Sequence, residues 1–180
     1  LDINLAAMVG GAAIQPALAS GAINIGWTNV VSMCQGHLQG LDFRFVAKGA
    51  IAKRGTNDVF GVMVRPDAPI NNGKDLEGKT IGVNTLRNIL HAVASFWVEK
   101  HGGDPSKVKW VEIPLPQMAA ALVNKQIDAF LAVEPFVHVP VRILKQARVI
   151  GYPLGEMAPR LLIASYFGSE AWIEKNVGLV

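Results

Sequence analysis

The stretch ALASGAINIGWTN, residues 17–29, reappears in altered form as ALVNKQIDAFLAVEP, residues 121–135. In both, an Ala-Leu pair closes a helical pattern, and Ile-Asn or Ile-Asp follows five residues after the leucine. An apolar run then leads to Trp27-Thr28-Asn29 in the first copy and to Glu134-Pro135 in the second. This pattern is typical of a helix, a tight turn and a strand. The repeat therefore predicts one such arrangement in each half of the chain.

Short β-rich runs alternate with helical patterns along almost the whole sequence. The predicted strands are 3–6, 23–27, 43–47, 59–64, 80–83, 108–113, 127–133, 148–151 and 161–165. The predicted helices are 12–19, 30–38, 86–101, 115–125, 135–146 and 170–176. Alternation of this kind predicts an α/β fold with a mainly parallel sheet.

The composition excludes several classes of protein. With 51% hydrophobic and 17% charged residues, the chain has the composition of a folded globular protein. Its longest apolar run, Leu5 to Ile14, covers about half of the ~20 residues that a membrane span needs. The net charge is +3, but lysines and arginines are scattered, which argues against a nucleic-acid partner. Cys34 is the only cysteine, so the sequence allows no internal disulfide.

The sequence carries no recognisable signature of an enzyme. Its four histidines show no metal-ligand spacing, and the nucleophile-elbow, dinucleotide and phosphate-loop patterns are all missing. A nucleophile and a base brought together from distant parts of the chain would leave no such signature. We therefore predict no catalytic residue, no metal site and no cofactor.

The turns that follow predicted strands are the candidate ligand sites. Ligands of open α/β sheets bind beyond the carboxyl ends of strands, where helix N-termini offer backbone N–H groups and a partial positive charge. Three turns and the end of the second repeat supply the predicted ligand-binding residues, which are Gly10, Gly11, Trp27, Thr28, Asn29, Asn84, Thr85, Leu86, Arg87, Glu134 and Pro135. Ordinary helix capping by Asn29, and by Asn84 or Thr85, explains the same polar residues.

Two charged residues point to opposite ligand chemistries. Arg87 is predicted in the first turn of a helix, where a cation opposes the helix dipole by about 0.3–1 kcal/mol. An anionic ligand bound by Arg87 would make this unfavourable energy favourable. Alternatively, the Arg87 side chain would extend into solvent, away from the helix end. Glu134 would accept hydrogen bonds from ligand N–H or O–H groups and would repel a simple anion. The Glu134-Pro135 pair also has a purely structural explanation, since proline suits the first position of a helix and glutamate is favourable beside a helix start.

Two stretches rich in turn residues suggest connections between lobes. They are RPDAPINNGKDLEGK, residues 65–79, and YPLGEMAPR, residues 152–160. We expect residues 66–164 to form an inserted second lobe, with crossovers near 62–68 and 160–166. Residues 1–65 together with 165–180 then form the first lobe.

The order of these segments resembles the nitrate/sulfonate/taurine and thiamine-precursor group of ABC-transporter solute-binding proteins. The similarity runs through ALASGAINIGWTN, DLEGKTIGVN, GGDPSKVKWVEIP and AALVNKQIDAFLAVEPF and covers nearly the whole chain. Its most specific parts are DLEGKTIGV, residues 75–83, and IDAFLAVEP, residues 127–135.

The resemblance implies a type II periplasmic-binding-protein fold, with two α/β lobes and a ligand cleft between them. It implies ligand contacts from the turns that match Trp27–Asn29 and Asn84–Arg87 and from Glu134-Pro135. It also implies that hinge closure captures a small organic anion or heterocycle, without chemistry, for delivery to an ABC permease in the membrane. We expect a monomer that is periplasmic, or exported and membrane-anchored. Family members have an export signal, a strand and a helix before the matching region, so we expect an incomplete first lobe.

Two other functions share this fold and remain alternatives. One is an enzyme of thiamine-pyrimidine biosynthesis, which should show clustered histidine and cysteine side chains. The other is the effector-sensing domain of a transcriptional regulator, which should carry a helix-turn-helix upstream. The scattered histidines argue against the first, and the sequence shows no helix-turn-helix segment for the second.

Overall fold

The computed structural model describes residues 3–8, 10–55 and 58–179. The α-helices are α1 (Gly10–Ala19), α2 (Val30–Leu38), α3 (Ile89–Lys100), α4 (Leu115–Val123), α5 (Leu154–Met157) and α6 (Glu170–Lys175). The strands are β1 (Ile25–Asn29), β2 (Phe43–Lys48), β3 (Ile51–Lys53), β4 (Phe60–Val64), β5 (Thr80–Val83), β6 (Lys109–Glu112), β7 (Ala129–Val133), β8 (Arg148–Gly151), β9 (Arg160–Leu162) and β10 (Ala164–Ser169). Both copies of the repeated sequence form the predicted helix, turn and strand, as α1–β1 and α4–β7.

The chain divides into two units, with the second inserted in the first. Unit 1 comprises Leu1–Ile51 and Leu162–Val180, and unit 2 comprises Ala52–Leu161. The first boundary therefore precedes β4, whereas the sequence pattern places it after that strand. All five residues of β4 are buried, and the strand lies between β7 and β8 in the sheet of unit 2. A strand that pairs on both sides within unit 2 belongs to that unit.

Unit 1 contains a three-stranded sheet in the order β1-β10-β2, with every pair antiparallel. A core of buried side chains from α1, α2 and β10 packs on one face, formed by Ile14, Leu18, Met33 and Phe167. Successive residues of a strand face opposite sides, so Trp27 projects away from the face of the buried Thr28. Trp27 lies opposite Tyr166 in the register, and the two are 52% and 42% exposed.

Unit 2 contains a five-stranded sheet in the order β6-β5-β7-β4-β8. Strand β5 runs parallel to both β6 and β7. Along the chain, α3 connects β5 to β6, and α4 connects β6 to β7. Strand β4 runs antiparallel to β7 and β8. The predicted mainly parallel sheet is therefore wrong for unit 1, where all pairs are antiparallel, and only partly right for unit 2. Parallel neighbours need a long crossover such as a helix, and among the described residues of unit 2 only the β5–β6 and β6–β7 connections contain an α-helix of more than four residues.

Three other elements differ from the sequence pattern. Residues 3–6 form no strand, and the predicted strand 161–165 is split between β9 and β10. The predicted helix 135–146 is replaced by a turn and a short π-helix, Val139–Ile143, in which Leu144 N donates to Val139 O at 3.0 Å. Pro140 explains this change, because proline has no N–H and clashes with the preceding turn inside an α-helix.

A glycine of β8 permits the close packing of a buried tryptophan in unit 2. A Cβ atom at Gly151 would lie 2.7 Å from Cζ2 of Trp97 and would overlap Nε1 and Cε2 of the same ring. Trp97 is only 1% exposed, so its ring has no free space to move into.

We expect Gly151→Ala to lower the free energy of unfolding by about 1–3 kcal/mol, because it overpacks a filled core. Gly155→Ala is the matched control, because a Cβ atom there meets nothing within 4 Å and alanine favours the helical conformation of α5. Urea denaturation measures both variants. Equal stability of the two would show that the Trp97 ring is not confined.

Candidate functional site

Three parallel strands of unit 2 bring their carboxyl ends to one edge of the sheet. Val83 of β5 is in register with Glu112 of β6, and Ile81 is in register with Ala129 of β7. The residues that follow β5 and β7 are Asn84–Arg87 and Glu134-Pro135. The structure therefore places both predicted ligand-binding segments of this unit at the same edge.

The loop between β5 and α3 is held by side chains of the protein itself. Leu86 N donates to Oε1 of Glu112 at 2.6 Å, and Arg87 N donates to Nδ1 of His91 at 3.0 Å. Oδ1 of Asn88 accepts from the N–H groups of Leu90 at 3.0 Å and His91 at 3.2 Å. The sequence predicts that N–H groups here await an anion, but these four already have protein acceptors.

Asn88 is the N-cap of α3, in place of the predicted Asn84 or Thr85. Oδ1 of Asn84 instead accepts a hydrogen bond from Nδ2 of Asn88 at 2.7 Å. Arg87 consequently precedes the helix, so the predicted clash with the first-turn dipole does not arise. Its φ of 57° lies in the left-handed region, which is uncommon for a residue other than glycine. The hydrogen bond to His91 helps to hold Arg87 in this conformation.

We expect Asn88→Ala to cost about 0.5–2 kcal/mol of stability, because it removes both cap hydrogen bonds from a side chain that is 4% exposed. Thr85→Ala should change stability by less than about 0.5 kcal/mol, because Asn88 already caps the helix. Chemical denaturation of the two variants separates these assignments. A larger loss of stability for Thr85→Ala than for Asn88→Ala would instead support Thr85 as the cap of α3.

His91 is a neutral hydrogen-bond acceptor in this loop. Its ring packs edge-on against Trp110, with ring centroids 4.6 Å apart. Burial, and secondarily the positive charge of Arg87, lower the pKa of His91 below its usual value of 6.5. The acceptor role of Nδ1 toward Arg87 N requires that nitrogen to be unprotonated, which agrees with the direction of the shift.

We expect acid to destabilise unit 2 through His91. Because its folded pKa is lowered, the unfolded chain binds more protons below about pH 6.5, and the stability contributed by neutral His91 is lost as the pH falls. Between pH 7.5 and 5.5 the wild type should lose more stability than His91→Asn, in which the amide oxygen lies near the position of Nδ1 and accepts the same hydrogen bond without titrating. Denaturation at both pH values measures the difference. Identical losses in the two proteins would contradict the role given to His91.

Glu134 and Pro135 form the turn after β7 and are both exposed. The Glu134-Pro135 peptide bond is cis, and Oε2 of Glu134 accepts a hydrogen bond from His138 N at 3.0 Å. The chain then enters the π-helix, so Pro135 does not begin the α-helix that the sequence predicts.

A cavity of about 590 Å³ lies in unit 2 beside Glu134. Its polar lining includes Arg54, Asp58, Glu134, His138, Arg142 and Tyr152. Of these residues, the sequence pattern singles out only Glu134. The others lie on the segment mistaken for an α-helix and on the connections at the two ends of the unit. Their convergence depends on how those connections fold, and no local pattern signals it.

The candidate residues of unit 1 lie mostly at the start of α1 and α2. Asn29 caps α2 as predicted, accepting from Ser32 N at 2.9 Å and donating to Ser32 Oγ at 3.0 Å. A Cβ atom at Gly11 would lie 2.6 Å from Ser32 Oγ and 3.2 Å from Thr28 Oγ1, so the two helix starts touch there. Gly10 has a φ of 67°, a conformation that favours glycine.

Trp27 is the exception among these residues, because it faces the other side of the sheet. A Cβ atom at Gly49 would lie 2.7 Å from Nε1 of Trp27, so this glycine allows the indole to lie against the backbone. The structure thus gathers Gly11, Thr28 and Asn29 and leaves Trp27 apart from them.

Two kinds of site are absent from the described residues, a metal-binding cluster and a membrane-spanning helix. These residues contain no group of three or more histidine, cysteine, aspartate or glutamate side chains arranged to hold a metal ion. None of the helices in that part of the chain has the length and apolar character of a membrane span.

The mixed α/β architecture defines a type II periplasmic-binding-protein fold, and solved structures match it closely. The aliphatic sulphonate-binding protein SsuA of Escherichia coli has a TM-score of 0.77 at 17% identity, over 96% of this chain and 56% of its own. The alkanesulfonate-binding protein SsuA of Xanthomonas axonopodis pv. citri, bound to MOPS, has a TM-score of 0.79 at 18% identity, over 93% and 55%. A ligand-binding component of a Staphylococcus aureus ABC-type import system has a TM-score of 0.74 at 14% identity, over 91% and 54%.

The chain belongs to the NMT1/THI5-like family, whose sequence model matches residues 1–180. The family and the fold implied by the resemblance are therefore confirmed. The chain spans about half the length of the solved structures that it matches. A comparison with curated protein sequences found no significant match.

Proposed function

We propose that this chain is the ligand-binding part of a solute-binding protein of an ABC import system. The observation that carries the proposal is the edge of unit 2 at which three parallel strands end. Asn84–Arg87 follow β5, Glu112 ends β6, and Glu134 follows β7 and lines a cavity of about 590 Å³. Carboxyl ends of parallel strands are the usual place for ligands in α/β sheets. The ligand is a small organic anion, either a sulfonate or a carboxylate, or a heterocycle.

The names of the matched structures support this class of ligand. Two are sulfonate-binding proteins and one is the ligand-binding component of an import system. By analogy, two lobes close around the solute by a hinge motion, and the closed protein delivers it to a permease in the membrane. The proposal includes a monomer that works in the periplasm, or outside the cell on a membrane anchor.

The predicted site residues remain part of the proposal. In unit 1 these are Gly10, Gly11, Trp27, Thr28 and Asn29, which provide small backbone positions, one indole and short polar groups. In unit 2 they are Asn84, Thr85, Leu86, Arg87, Glu134 and Pro135.

The proposed function involves no catalytic step. The histidines of unit 2 that have clear contacts serve the structure. His91 accepts the hydrogen bond of Arg87 N, and His101 stacks on Trp97 and contacts Oε2 of Glu156 at 3.0 Å. An enzyme of this fold would need such side chains directed at a substrate.

We expect one member of a panel of alkanesulfonates, carboxylates and aminopyrimidines to stabilise the protein. A ligand present at 100 times its dissociation constant adds about 2.7 kcal/mol to the free energy of unfolding. Thermal-shift measurements detect this change, with sodium sulfate at matched ionic strength as the control for general salt effects. Failure of all three classes to shift the transition beyond the salt control would refute the proposal.

A further inference from the structure

Among the described arginines that line the cavity in unit 2, Arg142 is the one without a partner. It lies on the π-helix Val139–Ile143 and is exposed, and within the described residues its guanidinium has no hydrogen-bond or ion-pair partner. Arg54, the other arginine of the lining, donates from Nε to the carbonyl oxygen of Gly155 at 2.7 Å.

Two of the three carboxylates in the lining are occupied by the protein. Asp58 accepts from Phe60 N at 2.9 Å through Oδ1 and from Gly155 N at 3.1 Å through Oδ2. Glu156 contacts Nε2 of His101 at 3.0 Å and Nζ of Lys100 at 3.5 Å. Neither carboxylate forms an ion pair with Arg142, so Arg142 has no counter-charge from these two groups.

Glu134 is the third carboxylate, and among the described residues it has no cationic partner. Its Oε2 accepts from His138 N at 3.0 Å, while Oε1 has no partner among the described residues. His138 and Tyr152 add an imidazole and a phenol to the same lining, and the buried Val137 and half-buried Val141 add an apolar surface. The cavity thus offers a cation, two hydrogen-bonding side chains and one acceptor around apolar groups.

Arg87 is poorly suited to be the group that recognises an anion in this unit. It does not line the cavity, and the N–H groups of Leu86 and Arg87 beside it are already bonded to Glu112 and His91. An anion at this loop would interact with one exposed guanidinium, and neither of these two N–H groups would be free to donate a hydrogen bond to it.

We infer that Arg142, with His138 and Tyr152, binds the anionic group of the solute, and that Glu134 accepts a hydrogen bond from a second, donor-bearing group. Arginine suits this role because its planar guanidinium makes paired hydrogen bonds to sulfonate or carboxylate oxygens. The inference rests on the proposed solute-binding function and narrows its ligand class. The solute is a small organic anion that also carries an amine or a hydroxyl group, because a simple anion would meet the uncompensated charge of Glu134.

Calorimetric titration with 2-aminoethanesulfonate and ethanesulfonate tests this assignment. Arg142→Ala should weaken binding of both probes by about 10-fold or more, the usual effect of losing a hydrogen bond to a charged group. Arg142→Lys should weaken it less, because the charge remains while the paired geometry is lost. Arg160→Ala, the matched removal of an exposed arginine of unit 2 that does not line the cavity, should change binding by less than about 3-fold.

Glu134→Gln separates the second part of the inference from the first. It should weaken binding of 2-aminoethanesulfonate by about 10-fold or more, through loss of a charged acceptor, and leave ethanesulfonate unchanged or bound more tightly. Thermal melts of each variant without ligand verify folding, which the exposed positions of Arg142 and Glu134 favour.

The outcomes distinguish this inference from the proposed function. Full affinity in Arg142→Ala, a loss in Arg160→Ala as large as in Arg142→Ala, or an equal effect of Glu134→Gln on both probes would overturn the inference and leave solute binding intact. If the wild type binds an aminopyrimidine but neither sulfonate, the inference is also overturned and solute binding remains. If no sulfonate, carboxylate or aminopyrimidine binds the wild type, both fail.

Discussion

The parallel pairing of β5 with β6 and β7 is the constraint on which the site in unit 2 depends. Asp128 helps to set this register, because its Oδ2 accepts from Thr80 N at 2.9 Å while its own N–H donates to Thr80 O at 2.9 Å. The start of β7 is thereby tied to the start of β5. Both strands then end at the same edge, which places Glu134 beside the loop after β5 and Glu112 within reach of Leu86 N. The acidic residue of the repeated sequence is therefore structural in this copy.

Backbone N–H groups of the loop after β5 are bonded within the protein, so the proposed recognition of the ligand depends on side chains. Helix N-termini bind anions when their N–H groups are free, but Asn88 fills that role for α3 and Glu112 and His91 bond the loop before it. These hydrogen bonds hold the loop in place, and Arg87 adopts a strained, left-handed backbone conformation within it. In the proposed function, charged side chains beside the turn after β7 are the groups that discriminate between ligands. This separation of a rigid scaffold from a polar lining suits a protein that must distinguish small solutes.

Local sequence patterns were sufficient for most of the elements. The apolar stripe of α3, the Asn29 cap and the strand β5 depend on residues within one or two turns, and the structure places them close to their predicted positions. The cap of α3 was misplaced because three polar residues, Asn84, Thr85 and Asn88, lie within five positions and only the course of the loop chooses among them. The helix predicted after Glu134 failed because one proline outweighs a favourable apolar pattern.

The sequence by itself determined the α/β class, the repeated helix–turn–strand arrangement and the family, because hydrophobic periodicity and short motifs are properties of neighbouring residues. Tertiary structure alone decided that β4 belongs to unit 2 and runs against its neighbours, since that depends on pairing with β7 and β8, which lie far along the chain. It also decided that Arg54, Glu134, Arg142 and Tyr152 line one cavity. These residues come from three separate segments, and only the folded sheet holds those segments together.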